Sequence, residues 1–331
     1  MVLRLAEHEF NELLQYDVAR EGSVAVRLRD GLWEPAANFL SRPSKEFRAR
    51  LVDFGWEWIG AQGRAPEPLR AALEALHAGS LIIDDIEDDA PDRRGQPALH
   101  VAYGVPMALN CGNWLYFAAL RMLRRLPLAV EAEIDLQHRF LDTLAMCHAG
   151  QALDISVRLS EIPKNDILPL VTTTTRWKTG ALMALAASAA AVALRASKER
   201  VIVLHDFGLA FGTTLQMLDD LATLTKRTHR ATRYEDLQLD RVTWPWAWLA
   251  ETVDAETFDG LRARAARVAA GQDDPAELAE TLSTLVATTG RAAARERLAA
   301  EREKLRALGE GASAVVAAFE VEIERLLACY D

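Results

Sequence analysis

Two clusters of aspartate set the chemistry this chain can do. Asp84, Asp85 and Asp88 stand in the stretch LIIDDIEDD, and Asp219 and Asp220 close the stretch QMLDD. Residues four apart share a helix face, so Asp84 and Asp88 project together. Leu81, Ile82 and Ile83 run straight into these acids, as a buried helix opening into a cavity mouth would. Carboxylates at a helix C-terminus face the negative end of the macrodipole, and like charges four apart repel. Something positive must compensate. Oxygen-only ligands favour Mg²⁺, which keeps waters and is completed by substrate phosphate. For the first motif taken alone, a solvated acidic turn is the bland alternative. The second pair repeats the arrangement, and two such helix ends facing each other across a bundle core could hold Mg²⁺ around one diphosphate. Arg93, Arg94, Lys178 and Arg241 would add phosphate contacts, arginine with a bidentate fork.

The elements that must position these residues read as helices. Apolar residues recur at the helical period through 47–60, 68–86, 114–126, 199–221 and 291–308. No alternating stretch bounded by hairpin turns is present. Proline and glycine punctuate at Arg64-Ala65-Pro66, Ala90-Pro91, Gly104-Val105-Pro106 and Ile162-Pro163 rather than filling a linker. The expected architecture is one all-α domain of antiparallel helices over 1–331, with a core at about 30–250. Ala/Glu/Arg-rich helices at about 255–331 pack over it, and the polar, basic segment 223–236 reads as a loop. The formal charge of −10 argues against nucleic-acid binding. Cys111, Cys147 and Cys329 are too scattered for a disulfide framework or zinc site, which suits a reducing, cytoplasmic setting. MVLRLAEHEF lacks a basic-then-apolar signal, and the Ala-rich run 180–197 reads as a buried core helix rather than a membrane span.

In order along the chain, these motifs resemble the trans-isoprenyl diphosphate synthases, or polyprenyl synthetases, closest to geranylgeranyl diphosphate synthases of the fungal and animal type. The segment PSKEFR resembles PGKxxR, which implies that Lys45 and Arg48 bind the diphosphate of isopentenyl diphosphate, joined by His77. Asp84, Asp85 and Asp88 match the first aspartate-rich motif, and Arg93 and Arg94 the arginine pair after it. HAGQALDI resembles GQxxD, giving Gln151 and Asp154; Lys178 and Thr179 match the Lys-Thr pair. Gln216, Asp219 and Asp220 match the second motif. The chain departs from the family at Ser44, Ala152, Thr223 and Asp240-Arg241, the last standing where the family has Gly-Lys.

The resemblance implies an isoprenoid-synthase bundle with a central active-site cavity, acting as a homodimer that does not span the membrane. About three Mg²⁺ ions would bridge the acidic motifs and an allylic diphosphate. With Lys178 they would stabilise the departing diphosphate, and isopentenyl diphosphate would attack the allylic cation in a site closed to water. Tail length would depend on the pocket below the first motif. Small Gly79 and Ser80 imply an open pocket and a twenty-carbon product, geranylgeranyl diphosphate, with Trp114 or Phe117 as its floor. Ordinary core packing is the alternative for either aromatic. Two other functions compete: a class I terpene cyclase acting on one prenyl diphosphate, and a non-catalytic regulatory subunit. The cyclase would not need Lys45, Arg48 and His77.

Overall fold

The computed structural model describes residues 10, 12, 22–44, 47–225, 234–309 and 312–328, without the side chain of Leu326. They fall into two compact units. The first takes in Met1–Glu57, Ala61–Phe140 and Ala189–Ala196; the second takes in Trp58–Gly60, Leu141–Ser188 and Ser197–Asp331.

In the first unit, helix α1 (Ser23–Leu28) continues through a π-helical turn (Arg29–Trp33) into α2 (Glu34–Leu40). Helix α3 spans Phe47–Trp58. Helix α4 (Glu67–Glu87) starts at a proline, whose missing N–H is one of the unbonded donors of a first turn. It buries Leu69, Leu73, Leu76 and Ile82. A hairpin follows, β1 (Asp92–Arg93) against β2 (Gln96–Pro97), with Arg93 opposite Gln96. The sequence reading missed it because two-residue strands are too short to show alternation. Helix α5 (Leu99–Tyr103) ends at Gly104, and α6 (Val105–Leu123) restarts behind Pro106. Helices α4 and α6 meet backbone to backbone: a Cβ on Gly79 would lie 2.7 Å from the Gly112 carbonyl oxygen.

Helix α7 (Val130–Ser156) begins in the first unit and ends in the second. In the second unit, α8 (Ile167–Thr175) runs through a π-helical turn (Arg176–Gly180) into α9 (Ala181–Ala193), which passes to the first unit at Ala189. Then come α10 (Lys198–Thr225), α11 (Glu235–Gln238), α12 (Trp244–Thr252), α13 (Ala255–Ala269), α14 (Pro275–Leu308) and α15 (Ser313–Leu327). The Ala-rich run is buried throughout α9, as expected. Lys198–Leu224 is also long and apolar enough to cross a membrane, but 67% of its apolar window is buried inside the structure. It packs along α14, where Thr214 Oγ1 donates to the Ala294 carbonyl at 3.1 Å. Phe207 stacks with Phe211 and meets Phe319 edge-on. The segment 223–236 is a loop only in part: α10 runs to Thr225, Glu235 starts a helical turn, and 226–233 lie outside the described residues.

Candidate active site

The first unit sets acids and cations along α4. Asp84 and Asp88 are partly exposed, whereas Asp85 between them is fully buried. Arg93 Nε donates to Asp85 Oδ1 at 2.6 Å, and its Nη2 reaches Asp84 Oδ2 at 3.5 Å. Burial raises the Asp85 carboxyl pKa against the pull of Arg93. Asp85 anchors the hairpin through Oδ1, while Asp84 and Asp88 keep part of their surface in solvent. Among the described residues no group of three or more His, Cys, Asp or Glu is preset to hold a metal. Asp85 Oδ2 is buried without a hydrogen-bond partner, a lone pair a cation or its water would satisfy.

Two turns back on α4 the surroundings become cationic. His77 is half-buried, and desolvation followed by Arg48, Arg94 and Arg93 drives its pKa well below 6.5. Burial and the three nearby cations thus disfavour its charged form. Arg48 sits in the first turn of α3, which buried Glu74 secures by accepting from the Ala49 N–H at 3.1 Å. Arg94 and Gly95 both have positive φ, +58° and +75°, the pattern of a two-residue type I′ hairpin turn. An arginine there is disfavoured, and its guanidinium lies 5.5 Å over the Phe39 ring. Lys45 lies outside the described residues.

The pocket expectations need correction. Space beside Gly79 is filled by the Gly112 backbone and by the Tyr116 ring, 3.0 Å from where a Cβ would stand. Gly79 is small because two helices touch there. Ser80 Oγ is turned onto the His77 carbonyl at 2.8 Å. Phe117 is 66% exposed and forms no floor. The ring of Trp114 packs on Phe10 at 5.2 Å. Tyr116, buried on α6, is the aromatic that abuts α4 at Gly79.

In the second unit, Lys178 lies in the π-helical turn and pairs with Asp154 of α7 at 2.6 Å. Gly150 lets α7 approach that turn, since a Cβ would stand 2.5 Å from the Lys178 nitrogen. Gln151, one residue on, is half-buried on the same helix. Thr179 Oγ1 donates to Gln216 Oε1 at 2.8 Å, and Gln216 Nε2 donates to Asp220 Oδ1 at 2.7 Å. Asp220 Oδ2 accepts from the Trp244 N–H at 3.0 Å, at the start of α12. Both Asp220 oxygens are thus held by protein donors, and burial pushes its pKa well up. Asp220 thus ties the end of α10 to the start of α12, whereas Asp219 is exposed.

The departures have local causes. Asp240 has φ +55°, where the family glycine costs nothing; its Oδ2 accepts from the Ser160 N–H at 3.2 Å, and from the Ser160 hydroxyl. Buried Arg241 donates to the Asp154 carbonyl, so its charge lies beside α7's end. Thr223 Oγ1 donates to the Asp220 carbonyl, the back-bond of a helical threonine. Sequence reasoning missed Asp236, whose carboxyl is pushed up to about 6 by burial and by Asp154 and Asp219, with Lys178 and Arg241 opposing. Its only sequence signal is an acid five residues before Arg241 in a polar segment.

An all-α chain with acidic helix ends and a cationic group around His77 has the fold of the isoprenyl synthases. A solved geranylgeranyl pyrophosphate synthase aligns over 96% of each chain with a TM-score of 0.76 at 19% identity. The chain belongs to the polyprenyl synthetase family, whose model matches residues 30–282, and this family uses a divalent metal. Geranylgeranyl pyrophosphate synthase 2 of Zymoseptoria tritici is 30% identical over 254 residues, 74% of this chain and 70% of that protein. Preasperterpenoid A synthase of Talaromyces verruculosus is 32% identical over 216 residues, 64% of this chain, which span only 26% of its length.

Proposed function

We propose that the chain is a trans-prenyltransferase that joins isopentenyl diphosphate to an allylic diphosphate and releases geranylgeranyl diphosphate. One observation carries this reading. The acids of α4 and the cationic group around His77 lie seven residues apart, so both fall on one helix face about 10 Å apart. A diphosphate held through metal and a diphosphate held by arginine alone are two substrates, which a cyclase acting on one prenyl diphosphate does not need. Homologues carrying the geranylgeranyl pyrophosphate synthase name support the twenty-carbon product.

Asp84, Asp85 and Asp88 in the first unit, and Asp219 and Asp220 in the second, are the residues that would hold metal, read as about three Mg²⁺ ions. When bound, Mg²⁺ supplies Lewis-acid neutralisation of the departing diphosphate. In the second unit Lys178, paired with Asp154 at 2.6 Å, would add its charge to the departing diphosphate, with Thr179, Gln151, Gln216 and Arg241 as further contacts. Arg48, Arg94, His77 and Lys45 would hold and orient isopentenyl diphosphate. The allylic carbon–oxygen bond breaks first and diphosphate leaves with the electron pair; the isopentenyl double bond then attacks the allylic cation, and the released diphosphate takes the proton whose loss restores an alkene.

We further propose that the two units serve one catalytic domain, because the family match runs through both. A homodimer is supported by exposed Val105, Leu109 and Phe117 on α6. A cytoplasmic protein that does not span the membrane fits the thiol state of Cys111 and Cys147 and the burial of the apolar helices. The test supplies Mg²⁺, isopentenyl diphosphate and, in turn, five-, ten- and fifteen-carbon allylic diphosphates. Dephosphorylated products are sized by mass spectrometry. A Mg²⁺-dependent twenty-carbon alcohol is expected. Conversion of one prenyl diphosphate to a hydrocarbon without isopentenyl consumption would replace the reading with a cyclase.

A further inference from the structure

Arg42 is a lone arginine in the bend after α2, outside every motif described above. It is 2% exposed, an unusual depth for an unmotivated guanidinium. Its Nε and Nη2 both donate to Asn38 Oδ1, at 3.3 and 2.9 Å, while Nη1 donates to the Arg93 carbonyl at 3.3 Å. It lies 5.2 Å over the ring of Phe39, the same ring that carries Arg94. The last turn of α2 thus holds the hairpin twice, by a hydrogen bond to the backbone of Arg93 and by the aromatic face beneath Arg94. The hairpin needs such support. Its turn puts an arginine at positive φ, and its two strands contribute only the Asp92–Pro97 and Arg93–Gln96 pairs.

We propose that Arg42, with Asn38 and Phe39, is a positioning residue that presets the Arg93–Arg94 hairpin for diphosphate binding. Arg42 does not touch substrate in this reading; it keeps the two arginines from paying orientational entropy on binding. Burial lowers the Arg42 pKa and nearby Asp85 opposes this. A lysine in its place would keep the charge but lose the fork that spans Asn38 and Arg93. The inference rests on the two-diphosphate reading above.

The test is calorimetric titration of the full-length protein with isopentenyl diphosphate without Mg²⁺, paired with steady-state kinetics. Arg42→Lys and Asn38→Ala are the variants, each checked for an unchanged melting profile. The expected result is a Kd about tenfold higher for each, with KM for isopentenyl diphosphate rising in step and kcat within about twofold of wild type. A variant that only lowers the folded fraction would reduce kcat and leave KM alone. Should Arg42→Lys melt early, Asn38→Ala carries the same readout, because it frees the fork and leaves every guanidinium in place. Wild-type affinity in both variants, or loss confined to kcat, overturns the positioning role. Failure of the wild type itself to bind isopentenyl diphosphate removes the two-diphosphate reading and this inference together.

Discussion

Each acidic pair divides its labour. Asp84 and Asp219 keep contact with solvent, while their neighbours Asp85 and Asp220 are buried on protein donors. The difference predicts opposite phenotypes for adjacent residues. Asp219→Ala is expected to shift folding stability by no more than about 0.5 kcal/mol, as an exposed substitution does. Its kcat should fall at least about a hundredfold if it holds metal charge in the transition state. Asp220→Ala leaves the Trp244 N–H and the Gln216 amide without their acceptor, which costs about 2–4 kcal/mol. Urea melts of both variants, with the condensation assay beside them, check this; equal stability losses would sink the division. The sequence made the Asp84–Asp88 face legible, because four-residue spacing alone decides it. It did not show that Asp85 and Asp220 turn inward, since the Arg93 and Trp244 donors stand eight and twenty-four residues further on; only Gln216, four residues before Asp220, was in view. Arg42 was invisible for the same reason: its partner Arg93 is fifty-one residues away.

At the scale of elements, helical periodicity found most of the long helices, because each buries a continuous apolar stripe. What it could not find is how closely two helices approach. Gly79 looked like a gap left for a substrate tail, yet the gap holds the Gly112 carbonyl and the Tyr116 ring. A glycine at a tail pocket and a glycine at a helix crossing have the same sequence signal; only the partner tells them apart. The crossing predicts that Gly79→Ala forces backbone against backbone and costs about 1–3 kcal/mol of overpacking. Tyr116→Ala does the reverse, removing the ring that abuts α4 there. Products longer than those of the wild type are expected from Tyr116→Ala, and no lengthening from Phe117→Ala, whose ring faces solvent. Mass spectrometry of the dephosphorylated products decides; an unchanged Tyr116→Ala product would remove Tyr116 from the control of length.

At the scale of the molecule, the proposed homodimer needs a surface, and the chain's charge of −10 makes most of its exterior unsuited to one. Along α6, Val105, Leu109 and Phe117 fall on one ridge of residues four apart and are 48%, 43% and 66% exposed. At the start of α7, Val130 and Ile134 are exposed as well, at 66% and 49%. Covering a half-exposed side chain of this size contributes about 1 kcal/mol. In a two-fold interface each one counts twice, so these five yield about 10 kcal/mol, within the range of about 4–15 that association costs. A balance that close turns on a few side chains. Replacing Leu109 and Phe117 by glutamate removes two apolar groups per protomer and sets four like charges into the shared face. Sedimentation at micromolar concentration is expected to show a dimer for the wild type and a monomer for Leu109→Glu/Phe117→Glu, with helical content unchanged by circular dichroism. A wild type that sediments as a monomer, or a double variant that stays dimeric, would take the interface off this face.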